Sequence, residues 1–310
     1  MPASTLKPDV WQLFVPLLAE EVSAPTAKHP TVRVWKDTEL VWLINRIVRE
    51  NRAELKTTFP AGSVVLEQLK RMKWLRELPV AENSLGRCFY LMDMEAARNA
   101  VVDVLEVLQA VLPAGVISYF AALSFHELTS QMPGFYHMGR LAKGHPPESD
   151  AAREAWDRNP LGTALFKYDG VMCYETKRYL GLTPGVQTRL IGPRTSYRIT
   201  TLEQTLLDAI LQPLRCGGEA VVFEAWGHAA RRADYDRMAE HLKAIGRDSL
   251  VRRVGAMLEM LGEEVKDSTE LGKLLGTVKN RLSNTPDAVI PLLPGLGFAR
   301  ESEVWRVAIP

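Results

Sequence analysis

Two sets of side chains in this sequence have the types and spacing for chemistry. The first is Asp169 with Glu175-Thr176-Lys177. Paired carboxylates can hold Mg²⁺ while a neighbouring lysine supports an attacking water, the chemistry of a Mg²⁺-dependent nuclease. The spacing is poor, because Gly170 puts a tight turn between the two acids. The second set is polar and cationic: Ser63, Lys70 and Arg71 on one helix face, Lys56 and Lys73 beside it, and Ser84 and Arg87 in a following hairpin. Such groups donate hydrogen bonds to base edges or neutralise phosphates, which is recognition of double-stranded DNA and not catalysis. His126 is alone in a largely apolar run, the ordinary setting of a hydrogen-bonded core histidine. Cys88, Cys173 and Cys216 form no Cys-x-x-Cys and no metal-ligand rhythm with histidine, which fits a reducing compartment. There is no Gly-rich phosphate loop, Gly-x-Ser-x-Gly elbow or His-Glu-x-x-His string. The expectation is therefore a non-enzyme with no catalytic residues, no metal and no cofactor; the nuclease is the alternative.

The cationic set needs a helix with a buried underside, and the pattern around it supplies one. Asp9 to Val22 puts Trp11, Phe14, Val15, Leu18 and Val22 at helical spacing, with Pro16 as a kink. Thr31 to Trp35 reads as a strand, and Asp37 or Thr38 caps a second helix with apolar Leu40, Val41, Ile44, Ile47 and Val48. A third helix, about residues 61 to 74, buries Val65, Leu66, Leu69 and Met72 and turns Ser63, Val64, Glu67, Lys70 and Arg71 outward. Trp74 falls toward the outer side. Leu78 to Ala81 and Arg87 to Leu91 flank the turn-rich Glu82 to Gly86 and read as a hairpin. Helix, strand, helix, helix, hairpin is the order of a winged helix-turn-helix, here residues 1–93. Its third helix enters the major groove while the hairpin reaches the neighbouring backbone. Lys70, Arg71 and Ser63, with Arg87 or Ser84, are then the expected DNA contacts, and Lys56 and Lys73 the phosphate contacts.

Length and charge are consistent with this. A chain of 310 residues exceeds one ordinary core and suits two domains, and 46% apolar with 24% charged residues is a globular composition. The net charge of +1 excludes a globally cationic binder, yet residues 41–91 hold nine Lys/Arg against five acids. Residues 94–310 read as a second, larger domain of mixed α+β class. Helices are expected at 94–112 and 116–128, short strands between 133 and 200, helices from 201 to 281, and extended chain to the end. The uncharged run Val107 to His126 could span a bilayer, but Pro113 and Gly115 break it, so it reads as two soluble helices. The first residues lack the apolar run of an export signal, which predicts a cytoplasmic protein with no membrane partner.

Ile117-Ser118-Tyr119-Phe120-Ala121-Ala122-Leu123-Ser124-Phe125-His126-Glu127-Leu128-Thr129 resembles the Ser-x-x-Ser-Ala-Leu-x-x-His-Gly-Leu segment of AbiEi-type antitoxins. These are the transcriptional-regulator half of bacterial abortive-infection (type IV) toxin–antitoxin pairs, a phage defence. Tyr197 to Asp208, followed by Cys216-Gly217-Gly218-Glu219, is similar to that family's Thr-x-x-Glu-x-Thr-Leu-x-Asp … Gly-Gly segment, and Ser249 to Gly262 resembles a third. The likeness covers about residues 94–262. It departs at Ala121, where serine is usual, at Glu127, where glycine is usual, and beyond 262. The resemblance implies a repressor that binds inverted repeats upstream of its own operon. Its second domain would counter a nucleotidyltransferase-like toxin, with no stable complex required. His126, Glu203 and Asp208 carry over as structural residues. A repressor whose second domain senses a metabolite is a further alternative.

Overall fold

The computed structural model describes residues 8–55, 60–86, 89–92, 101–144, 161–285, 287–297 and 299–310. The chain is an α+β protein of two compact units. The boundary is not a single cut near residue 93. The first unit comprises residues 1–114 together with 165–170 and 188–198, and the second holds the remainder. The distant segments join the first unit through backbone pairing: Thr31 bridges Thr195, Ala81 bridges Lys167, and Val32 donates to the Arg194 carbonyl.

In the first unit, α1 (Pro8–Glu21) carries Pro16 within it and buries Phe14 and Leu18. Strand β1 (Val34–Lys36) leads into α2 (Asp37–Glu50), then the short α3 (Arg52–Leu55) and α4 (Gly62–Arg71). Strands β2 (Leu75–Glu77) and β3 (Phe89–Met92) follow, with β3 central and antiparallel to both β1 and β2. The apolar residues of α2 and α4 recur at three and four, so Leu40, Ile44, Ile47, Val65 and Leu69 meet Trp35, Leu75 and Tyr90 in one core. Neither Asp37 nor Thr38 caps α2. Lys36 is the N-cap residue, and the Asp37 carboxylate accepts from the Thr38 amide.

The first hairpin arm is earlier than the sequence suggests. Residues 75–77, and not 78–81, pair with β3, while Ala81 pairs with Lys167. Next comes α5 (Val104–Val111), capped by the Asp103 carboxylate on the Leu105 amide and buried on every side. It is shorter than the 94–112 reading, since 101–103 are not helical and 93–100 lie outside the described residues. Its Glu106 accepts from Thr31 Oγ1 at 2.9 Å, Arg33 at 3.1 Å and Thr195 Oγ1 at 2.8 Å. One carboxylate thus ties α5, the β1 region and the returning segment together.

The second unit contains β4 (Val116–Ser118), α6 (Phe120–Phe125), β5 (Phe135–Ala142) and β7 (Val171–Tyr179); β6 (Thr163–Tyr168) and β8 (Val186–Gly192) carry the chain between units, as does β9 (Thr195–Thr200). Strand β5 pairs antiparallel with β4 and parallel with β7 over Phe135↔Met172 to Ala142↔Tyr179. The helix read over 116–128 is therefore a strand followed by a short helix. Val116, Ile117 and Ser118 are all buried, and a short buried strand shows no alternation to distinguish it from helix. Tyr119, with φ 59° and ψ −129°, makes the turn between them.

Helices α7 (Leu202–Leu211), α8 (Glu219–Ala229), α9 (Tyr235–Ile245), α10 (Asp248–Met260) and α11 (Glu270–Asn284) follow where the spacing predicts. Thr201, Asp234 and Thr269 cap α7, α9 and α11 by accepting amides of the first turn. Their apolar faces close a core around Trp226, Met238, Leu242 and Met257. The terminal segment forms a three-stranded sheet of β10 (Ile290–Pro291), β12 (Val307–Ile309) and β11 (Arg300–Ser302), with β12 central. Arg252 of α10 holds it by donating to the carbonyls of Ala288, Trp305 and Arg306. Among the described residues no helix is long and apolar enough to cross a membrane.

Candidate nucleic-acid interface

The candidate interface is the outer face of α4. Two features set its direction. The buried stripe Val65, Leu66 and Leu69 anchors one side, and Gly62 lets the start of α4 lie against α2. A Cβ at Gly62 would stand 2.8 Å from Asn45 Oδ1 and 2.9 Å from the Val41 carbonyl oxygen. In place of that contact, the Gly62 amide donates to Asn45 Oδ1 at 3.1 Å. Neither role of Gly62 nor that of Asn45 is visible from periodicity; the only hint is a glycine just after Pro60.

On the outer face, Ser63, Glu67 and Arg71 are exposed and Lys70 is half-buried. Lys70 Nζ pairs with Glu67 at 3.2 Å and lies 5.3 Å from the centroid of the Tyr90 ring. The hydrogen bond to Glu67 raises its pKa, so it is cationic at neutral pH. To reach a phosphate, Lys70 must exchange Glu67 for it. Arg71 has no ion-pair partner among the described residues. Met72, expected in the buried stripe, is 39% exposed because the helix ends at Arg71. The chain leaves through a left-handed Lys73 with φ 63°, and the Trp74 amide donates back to the Leu69 carbonyl. That turn carries Trp74 inward, edge-on to Trp11 at 6.3 Å. Arg76 on β2 is exposed, but its register opposite Leu91 puts it on the other face of the strand from Leu75, which packs with α4, so it does not extend the run Lys70, Arg71, Lys73.

The hairpin residues behave differently. Ser84 donates both its amide and its hydroxyl to the Leu165 carbonyl, each at 2.9 Å, and Glu82 pairs with Lys167 at 3.3 Å. This loop is stapled to the 165–170 segment of its own unit, so its tip is a braced edge. Lys56 and Arg87 lie outside the described residues.

The nuclease set is dispersed in role. Asp169 occupies a left-handed turn position with φ 48°, Glu175 pairs with Arg140 on the neighbouring β5, and Lys177 Nζ lies 4.9 Å from the Tyr179 ring centroid. Among the described residues no three His, Cys, Asp or Glu side chains gather to hold a metal ion. His126 is buried with Nε2 2.8 Å from the Thr200 carbonyl. Asp208 grips Arg178, and Glu203 accepts the Asp234 amide.

Comparison with solved structures finds likenesses to this fold. A crystal structure of the RV2827C protein from Mycobacterium tuberculosis aligns at a TM-score of 0.54 and 14% identity, over 99% of this chain and 93% of that one. At that identity the likeness carries the fold alone. No family model matches the chain, and no curated protein matches it.

The α4 face presents Ser63, Lys70 and Arg71 on a rigid rod about 15 Å long, at 1.5 Å per residue. It offers hydroxyl, ammonium and guanidinium donors. Such a surface can bind phosphates and base edges.

Proposed function

We propose that this chain is a DNA-binding transcriptional autorepressor and the antitoxin of a bacterial toxin–antitoxin operon, with a nucleotidyltransferase-like toxin as its functional partner. The observation that carries the DNA reading is the basic run Lys70, Arg71 and Lys73 at the end of α4, away from its buried stripe. The order α1, β1, α2, α4, β2, β3, with the one-turn α3 between α2 and α4 and with β3 between β1 and β2, supports a winged helix-turn-helix. In this reading α4 lies in the major groove, with Arg71 bidentate to guanine and Ser63 and Lys70 on base edges or phosphates. Lys73 contacts phosphate beside it. The antitoxin part rests on the AbiEi-like segments of residues 117–129, 197–219 and 249–262.

Gel shifts with the DNA upstream of the gene test the interface. The double variant Lys70→Ala and Arg71→Ala should lose binding to its own site by about 1–3 kcal/mol for each base contact removed. Wild-type affinity in that variant would remove α4 as the reading helix. Co-expression with the adjacent gene tests the antitoxin part: growth arrest by the neighbour alone, relieved by this chain, is the expected result.

A further inference from the structure

Away from the α4 face, the first unit contains a cleft of about 390 Å³ lined by the end of α1, the 26–32 segment, β1 and α2. Its apolar wall includes Val32, Trp35, Leu43 and Trp42, a residue that is 55% exposed. Few polar groups line it: Glu21, Thr26, Lys28, His29 and Arg46. His29 stacks on Trp35 with ring centroids 4.8 Å apart. Burial lowers its pKa, so at neutral pH its ring is uncharged, with one donor and one acceptor nitrogen.

Arg46 is the unusual member. Its guanidinium lies 5.3 Å from the Trp42 ring centroid and pairs with Glu21 through Nη2. Its Nε is buried and has no hydrogen-bond partner among the described residues. A buried donor left unpaired is costly and is a ready handle for an acceptor. With Lys28 and Arg46 against Glu21, the lining has one positive charge in excess.

We propose that this cleft binds a small planar aromatic carboxylate, its ring on the Trp42 indole and its carboxylate on Arg46. The volume is that of a small-molecule site, apolar with a few convergent polar groups. A planar ring covers the exposed indole face, as offset or edge-on aromatic packing favours. By displacing Glu21 the carboxylate takes Nη2, and that exchange uncovers the buried Nε–H for its second oxygen, completing a two-pronged contact. Lys28 adds attraction for the anion. A neutral aromatic amide lacks the charge, and an aliphatic acid leaves the indole uncovered. The inference rests on the cleft and is independent of the DNA reading.

Isothermal titration calorimetry of the full chain with 2-naphthoate, 2-naphthamide and cyclohexanecarboxylate tests it. The expected result is saturable one-to-one binding of 2-naphthoate and affinity at least about tenfold lower for the other two, the ~1.4 kcal/mol of a single charge-assisted contact. Trp42→Ala removes an exposed side chain without opening a core cavity and should lose at least about tenfold in naphthoate affinity. Arg46→Met keeps the apolar stem and should no longer distinguish the acid from the amide. No saturable heat up to about 5 mM, equal affinity for naphthoate and naphthamide, or unchanged affinity in both variants would overturn the proposal.

Discussion

His137 is buried on β5 within an aromatic cage, its ring centroid 5.5 Å from Tyr119, 5.4 Å from Phe135 and 5.7 Å from Tyr174. Nε2 lies 2.9 Å from the Leu161 carbonyl, and a carbonyl only accepts, so Nε2 carries the proton. Burial, with the Arg215 charge beside it, lowers the pKa from 6.5 to about 3. The folded protein therefore refuses a proton that the unfolded chain takes. Stability from this group is complete above pH 6.5 and is lost as pH falls toward 3, at about 1.4 kcal/mol per pH unit. His137→Phe keeps a ring in the cage and removes the titration, so its urea midpoint should vary less between pH 7 and 4.5 than that of wild type. An identical pH slope would refute the assignment.

The Arg178 fork to Asp208, at 2.6 and 2.7 Å, is buried in the same unit, and Gln204 and Thr183 complete it. Removing only the cation strands a carboxylate, so Arg178→Met should cost about 3–5 kcal/mol. The double variant Arg178→Met with Asp208→Leu should recover much of that in chemical denaturation. These residues also explain why sequence reading found a structural role for Asp208 without finding its partner. Its acidity and its place on an apolar helix demand a buried cation, but Arg178 lies thirty positions away on a strand.

At the scale of elements, the exit from α4 separates stability from binding. A non-glycine residue in the left-handed region costs roughly 1 kcal/mol, and a helix C-terminus favours glycine there. Lys73→Gly should therefore raise stability by about that amount while weakening DNA binding uniformly, with the log–log salt slope reduced by about 1. Melting curves and gel shifts across ionic strength read the two effects separately. Gly62→Ala makes the converse test of the α2–α4 contact. The new Cβ meets a backbone oxygen that cannot swing aside, so a loss of about 1–3 kcal/mol and weaker binding to upstream DNA are expected.

Element identity was readable where a helix had one dry face. Leu40, Ile44 and Ile47 on α2 and Leu271, Leu275, Val278 and Leu282 on α11 recur with the helical period. It was not readable at Val116–Ser118, where both sides of the segment are dry and three apolar or small residues fit strand or helix equally. The reading of α4 turned Lys70 and Arg71 outward, as the structure has them, but continued too far, because nothing in residues 72–74 announces a left-handed lysine.

For the whole molecule, the first unit is a composite and not an N-terminal module. Glu106, the 165–170 segment and the 188–198 segment all belong to it. A fragment ending at residue 93 leaves Thr31 without Glu106 and Ala81 without Lys167. It should melt well below the first-unit transition of the intact chain or fail to fold, whereas circular dichroism showing an unchanged transition would contradict this. Sequence by itself determined the α+β class, the helical order, the strand-rich middle and the basic outer edge of α4, because periodicity and composition are local properties of the chain. Only the tertiary structure decided that the hairpin loop is braced by Leu165 and Lys167, that Glu106 clasps the unit, and that Arg46 borders a cleft. Each of these depends on residues brought together from far apart, and no local pattern encodes which buried donor will meet which acceptor.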